Sequence, residues 1–329
     1  MNKVSLVTGC AGFIGSHVVD KLLKNKHIVF GIDNFASGNI NNIKHNFKNK
    51  KFLFIKDDIK NIFKYKKKFK SIKYIFHFAG NGELIPSIER PEQYFFNNSY
   101  KTLLLMKFVR KELNIIKFIY SASSSCYGKN SRKTNEKSII STEHPYAFSK
   151  NIGEKICMHW AKIYKIPTIS IRIFNAYGPR SRTNNVYGAV IGVFLKQKLS
   201  KYPLTIIGNG KQKRDFLYIS DLCDAFYKAA ISKYKNEIFN LGFGRSRTVL
   251  TLANLISKKH IFIPWRPGEP KNTEADITKI KKYLKWKPKV TLETGIQKVL
   301  KNIKYWKNAP LWTKSRINKA TLNWNKFLK

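Results

Sequence analysis

Carboxylates are scarce in this chain: 19 Asp and Glu stand against 63 Lys and Arg, a formal net charge of +44 over 329 residues. Arginine is scarce as well. Eleven of the 63 cations are arginines, leaving 52 lysines. Such a surplus has two readings, attraction to a polyanion or drift of composition towards Lys, Asn and Ile. The lysines run from end to end instead of forming a stripe, and the better bidentate reader of phosphates and bases is the rare one. Both features favour drift and disfavour a nucleic-acid partner. Cysteine is limited to Cys10, Cys126, Cys157 and Cys223, far apart and forming no CxxC pair or His-Cys cluster. This spacing excludes a disulfide scaffold and a structural metal site, and it predicts reduced thiols in a cytoplasmic protein with no metal. No run of 18 apolar residues exists, and the N-terminal apolar stretch is short and broken by glycines. Neither a membrane span nor a signal peptide is expected. Internal repeats and low-complexity linkers are absent too.

What remains is an ordinary apolar content of 43 %, enough for two domains or one lobed domain. The first half alternates continuous apolar runs with helical spacing. Val4–Gly9, His27–Asp33, Lys51–Asp58, Lys73–Gly80, Lys117–Ser123 and Thr168–Gly178 read as strands. Ser16–Lys24, Thr102–Leu113 and Pro145–Lys165 read as helices. Apolar strands alternating with helices imply a parallel sheet covered on both faces, the doubly wound (Rossmann) α/β class, here with a smaller α/β lobe. The expected division is a nucleotide-binding domain over 1–173, with a return segment near 215–242. A second lobe spans 174–310, and 311–329 form a basic extension.

Gly9, Gly12 and Gly15 (GCAGFIG) follow the first strand and open the first helix, where a phosphate needs backbone N–H donors and no Cβ in the way. Asp33 closes the second strand, 33 − 15 = 18 residues beyond the last glycine. A carboxylate there can accept both adenosine ribose hydroxyls and repel a 2′-phosphate, which points to NAD rather than NADP. The other notable stretch is HPYAFSK (His144–Lys150). Pro145 suits a first helical turn, and Tyr146 and Lys150 then stack one turn apart. Alone, the pair could equally be an exposed accident of a lysine-rich chain.

The Gly-x-x-Gly-x-x-Gly loop with Tyr-x-x-x-Lys far downstream resembles the extended short-chain dehydrogenase/reductases, the NAD-dependent epimerase/dehydratases. Within them the chain is similar to UDP-sugar 4-epimerases over about residues 3–305. The resemblance implies that Gly9, Gly12, Phe13, Ile14 and Gly15 cradle NAD, with Asp33 and Asn34 over its ribose. Asp58 and Ile59 would lie on its adenine, and Phe78, Ala79 and Gly80 along it. Asn98 would sit on its nicotinamide side, and Phe174 would also bind the cofactor. Tyr146 is implied as general base, Lys150 as holder of the nicotinamide ribose and depressant of the phenol pKa, and Ser123 as hydrogen-bond partner of the sugar hydroxyl. Ser124 is an alternative within the serine run. A free phenol titrates near 10, so bringing it to about 7 requires about 4 kcal/mol of differential stabilisation. Lys150 and a cofactor cation in a dry site are the implied source.

RIFNAYGPR (172–180), RDFLYISDL (214–222) and RPGE (266–269) resemble segments that grip the nucleotide-sugar. Arg214 and Arg266 are the candidates for the diphosphate and Asn175 for the substrate, with Arg180 and Arg182 as weaker ones. Tyr218 and Asp221 are expected to fix the local turn and helix start. Related 4,6-dehydratases carry an Asp-Glu pair directly after the catalytic hydroxyl residue. Here Ser124 and Ser125 stand there, which favours 4-epimerisation of a UDP-hexose, with a role in nucleotide-sugar or surface-polysaccharide metabolism. Another NAD-dependent modification, dehydration or decarboxylation, is the alternative. Gly82 replaces a lysine common in UDP-glucose 4-epimerases, so UDP-GlcNAc, UDP-glucose and UDP-glucuronate stay open. A non-catalytic nucleic-acid-binding relative would rest on KYKKKFK (64–70), which reads equally as a solvated helix face with two core aromatics. Ile152, Ile156 and Ile163 lie beyond one core face of their helix, and by resemblance imply a homodimer.

Overall fold

A computed structural model describes residues 3–129, 133–181 and 187–328. The strands that build its main sheet are β1 (Val4–Thr8), β2 (Ile28–Asp33), β3 (Phe52–Lys56), β4 (Tyr74–His77), β5 (Lys117–Ser123) and β6 (Thr168–Ile173). Two short strands, β7 (Asn175–Tyr177) and β8 (Phe216–Tyr218), precede its last member, β9 (Glu237–Leu241). The order is β9-β6-β5-β4-β1-β2-β3, parallel throughout. Every residue of β1, β5 and β6 is buried, as strands covered on both faces require. Alternate side chains feed different cores: Val7 and Ile119 pack on one face, Leu6 and Phe118 on the other.

The helices that matter below are α1 (Phe13–Lys24), α2 (Pro86–Glu89), α3 (Lys101–Glu112), α4 (Pro145–Tyr164), α5 (Ile219–Ile231), α6 (Lys314–Ala320) and α7 (Leu322–Phe327). α1 packs on α5 and α3 on α4, and their apolar residues divide between the two cores, Val19 with Phe226 in one and Leu105 with Cys157 in the other. The chain is therefore a doubly wound α/β fold. Strand order reverses between β1 and β4, so a crevice opens beyond their C-terminal ends, the usual ligand position in such sheets. A smaller α/β lobe carries the parallel pair Leu204–Ile207 with His260–Ile263 and the helices Val190–Leu199 and Val249–Ile256.

Several expectations change. Helix α1 starts at Phe13 rather than Ser16, because the glycine turn feeds straight into it with Gly12 as its N-cap. The expected strand 168–178 is two: β6 ends at Ile173, and Asn175–Tyr177 leaves the sheet to pair with β8. A π-helical turn, Phe96–Tyr100, precedes α3. Asp221 does not fix its own turn; its Oδ2 accepts from the Lys289 and Val290 amides at 2.7 and 2.8 Å, tying a distant segment to α5. In KYKKKFK, Phe69 is buried and the Tyr65 hydroxyl donates to Asp57, while Lys66, Lys67 and Lys68 are exposed. The extension beyond 310 is folded, with Trp312, Ile317 and Trp324 buried.

Candidate active site

The crevice between β1 and β4 is lined by Gly9, Asp33, Asp58, Ile59, Ala79 and Lys101, among others. Gly9 has φ +68°, and a Cβ there would sit 2.7 Å from the Ala79 amide nitrogen. A Cβ on Gly15 would lie 2.1 Å from the Gly9 carbonyl oxygen. Only glycine allows this turn to close under the helix. No side chain caps α1 and no acid occupies its first turn, so the Phe13 and Ile14 amides open the helix without partners from a preceding turn. Asp33 Oδ2 accepts from the Ala11 amide and Oδ1 from the Phe35 amide, both at 2.8 Å. Burial pushes this carboxyl above its ordinary pKa, and the two amides oppose the rise. Asp58 accepts from Lys101 Nζ at 2.6 Å and Asn34 Nδ2 at 2.8 Å. Asn98, 1 % exposed on the π-turn, accepts from the Asn81 amide at 2.7 Å and donates to Ser149 Oγ at 3.0 Å. It fixes the strand exit at Gly80. Phe174 is buried against the Tyr127 ring.

At the end of β5, the Ser123 hydroxyl accepts from the Ser125 amide at 3.2 Å and lies close enough to the Tyr146 phenol to act on its pKa. Tyr146 stands in the first turn of α4, which Pro145 opens and His144 caps, its Nδ1 accepting from the Ala147 amide at 3.2 Å. The imidazole stacks on the Tyr146 ring, centroids 5.9 Å apart and planes at 8°. One turn on, Lys150 Nζ donates to the Ser121 carbonyl at 2.5 Å and lies 4.5 Å from the Tyr120 ring centre. Burial lowers its pKa to about 8. Burial raises the Tyr146 pKa, and the nearby Ser123 hydroxyl only partly opposes this. Ser124 and Ser125 are half-buried in the turn that follows Ser123.

Across the crevice, Arg214 and Arg266 converge on one carboxylate, Glu269. They are not surface cations: their side chains are 12 % and 15 % exposed. Burial lowers the Arg214 pKa to about 10 and that of Arg266 also. Arg214 further donates to the Pro270 carbonyl at 2.8 Å. Among the described residues, Nε and Nη1 of Arg266 have no hydrogen-bond partner. One carboxylate against two guanidiniums leaves a net cation with buried free donors, a demand for a further anion. Asn175 Nδ2 donates to Thr273 Oγ1 at 3.1 Å, beside this cluster. Arg180 instead pairs with Asp20 at 2.7 Å on α1, and Arg182 lies outside the described residues.

The sequence profile described as GDP-mannose 4,6 dehydratase matches residues 6–299. The chain belongs to the GDP-mannose 4,6 dehydratase family. An uncharacterised UDP-glucose epimerase of Bacillus subtilis is 34 % identical over 310 residues, 88 % of this chain and 95 % of that protein. The UDP-glucuronic acid 4-epimerase of Bacillus cereus, solved with UDP-glucuronic acid and NAD, superposes with a TM-score of 0.85 at 33 % identity, covering 92 % of this chain and 99 % of its own. The UDP-N-acetylglucosamine 4-epimerase of Methanobrevibacter ruminantium, solved with UDP-N-acetylmuramic acid, gives 0.85 at 31 % with the same coverages. The family resemblance read from the motifs is thus borne out. In this member of the GDP-mannose 4,6 dehydratase family, sequence reasoning missed Lys101, the His144 cap and Trp324. Lys101 carries no motif. His144 had a signal, since a polar residue directly before Pro-Tyr at a helix start is an N-cap position.

Proposed function

We propose that this protein is an NAD-dependent 4-epimerase of a UDP-hexose, working in the cytoplasm as a homodimer. The observation that carries the proposal is the Ser123 hydroxyl beside the Tyr146 phenol, with Ser124 and Ser125 in the turn that follows. A hydroxyl pair can take and return one proton at a sugar oxygen. With serines at 124 and 125, the two positions after Ser123 offer no strong acid and base for dehydration at neighbouring carbons.

The residues present fit NAD. The glycine turn is closed to any side chain, the α1 N-terminus is uncapped, and Asp33 keeps a lone pair free on each carboxylate oxygen. Gly9, Gly12, Phe13, Ile14 and Gly15 would hold the pyrophosphate, Asp33 and Asn34 the ribose, and Asp58 and Ile59 the adenine. Bound NAD would supply the hydride acceptor and donor at C4, and in its oxidised form a positive charge close to the phenol. Tyr146 removes the O4 proton, with Ser123 fixing the oxygen's position. Lys150, already desolvated, adds its charge to the ionisation that burial alone opposes. Arg214 and Arg266 hold the diphosphate while the 4-keto sugar turns over; the hydride that bound NAD would supply then reaches the opposite face of C4, Tyr146 returns the proton to O4, and C4 is inverted. Burial in a low-dielectric site strengthens each of these interactions.

UDP-glucose, UDP-GlcNAc and UDP-glucuronate are the candidate substrates, and surface-polysaccharide supply the proposed role. The test is incubation of the purified protein with each of them, without added NAD, and proton NMR of the product at C4. Interconversion of the 4-epimers is expected. Intact substrate in the presence of protein that carries NAD would overturn the reading. For the dimer, Phe148, Ile163 and Tyr164 on α4 and Tyr100 before α3 are exposed. Light scattering at micromolar concentration should give about twice the 38.2 kDa chain mass, and a monomer refutes it.

A further inference from the structure

Residues beyond 310 lie outside the family profile, which ends at 299. The two solved epimerases are nearly wholly matched yet cover 92 % of this chain. The extension is nonetheless built into the site. Trp324 on α7 is 2 % exposed. Its Nε1–H donates to the Pro267 carbonyl at 2.7 Å, inside RPGE. Its ring lies 5.6 Å from the Arg266 guanidinium carbon, and Tyr187 lies at the same distance. The other side of the indole meets the second half of the site. Its centroid is 5.3 Å from that of His144, which stacks on Tyr146. Gly268 (φ +73°) is so close that a Cβ there would reach 3.3 Å from Leu328 and 3.5 Å from Trp324. Helix α7 also packs on α2, where Asn323 donates to Glu89 at 3.3 Å.

We propose that the C-terminal helix α7 forms a wall of the nucleotide-sugar site, with Trp324 as the positioning residue that aims Arg266 at the substrate diphosphate. This rests on the epimerase reading above. Among the described residues, Arg266 has one hydrogen-bond partner, Glu269, on one nitrogen. Two aromatic rings restrict its plane and leave Nε and Nη1 for phosphate oxygens, so the rotamer entropy of the clamp is lost before substrate arrives. The same indole ties the diphosphate side to the cap of the catalytic helix. A fixed span between Arg266 and Tyr146 sets how far a hexose can extend from its diphosphate to the base.

The test compares Trp324→Ala and Trp324→Phe with the parent, using UDP binding by calorimetry, KM and kcat for the turned-over UDP-sugar, and bound NAD. Expected is about a tenfold weaker UDP affinity and a similar rise in KM for the alanine variant, with kcat within about threefold and NAD content unchanged. The phenylalanine variant, which keeps an aromatic face, should recover most of the affinity. Trp324→Leu fills the slot without a π face or N–H and takes over if the alanine chain does not fold. It should lose affinity as alanine does. UDP affinity and KM within twofold of the parent in the folded alanine or leucine variant would overturn the proposal, as would a loss confined to kcat. A parent chain that binds no UDP overturns the epimerase reading and this inference together.

Discussion

At the scale of single residues, the site pairs a phenol that burial keeps protonated with a lysine that burial makes less basic. Tyr146→Phe should lower kcat at least about 10³-fold while retaining NAD and UDP, because it removes the only oxygen in the pair able to ionise. Single-turnover kinetics with bound NAD measured by absorbance checks this, and a variant as fast as the parent would remove the phenol from the mechanism. Two turns beyond Tyr146, Glu154 accepts from Arg172 Nε at 3.0–3.1 Å and Nη2 at 2.6 Å, both residues being 4 % exposed. Arg172 also donates to the Tyr127 hydroxyl at 2.8 Å, in the turn after Ser123. Glu154→Ala leaves a guanidinium buried without its counter-ion, a cost of about 3–5 kcal/mol. The melting temperature should fall on the order of 10 °C, and no change would show that water reaches this pair.

At the scale of elements, helix α4 sets the chemistry because its N-terminus is defined twice, by Pro145 at N1 and His144 as cap. A cap that accepts through Nδ1 needs the neutral imidazole, and burial supplies it by lowering the pKa to about 4. His144→Ala should cost about 1 kcal/mol from the cap alone. It should also loosen the Tyr146 ring, so thermal melting and kcat fall together, whereas His144→Asn restores the cap and most of the stability but not the stack. The π-turn 96–100 is the second local device. One extra residue in a helical turn rotates the side chains that follow, and Asn98 thereby reaches both Gly80's neighbour Asn81 and Ser149 on α4. An ordinary apolar period predicts α3 correctly from its sequence, but it cannot show that the preceding turn is wide. The motif residue Asn98 was legible; what holds it was not.

For the whole molecule, the surplus of lysine is carried on the surface while buried histidines set the acid limit. Burial lowers the pKa of His27 and His144 from 6.5 to about 4 and of His77 to about 3. A base depressed by folding is protonated first in the unfolded chain as pH falls. Its stabilising contribution is therefore complete above about 6.5 and is lost between there and 4. His27 and His144 are each worth up to roughly 3 kcal/mol and His77 up to roughly 5 kcal/mol. Asp215, raised by burial to about 6, acts with the opposite sign over part of that range, but it is one group against four, since burial lowers His17 to about 4 as well. Melting temperature should therefore be level from pH 7 to 8 and drop steadily from 6.5 to 5. A flat profile would show that these imidazoles are hydrated.

The sequence by itself determined the doubly wound sheet, the glycine turn, Asp33, the start of α4 and the tyrosine-lysine pair. All of these are written within some twenty residues, as periodicity, a turn or a helix face, and local sterics enforce them. Only the tertiary structure decided where charges point. Lys150 turns to the Ser121 carbonyl, Arg214 and Arg266 share Glu269, and a tryptophan near the end of the chain closes on His144 and Arg266. Those contacts join residues up to 180 positions apart, His144 to Trp324. Burial fixes their electrostatics, and burial belongs to the packed molecule rather than to any one segment.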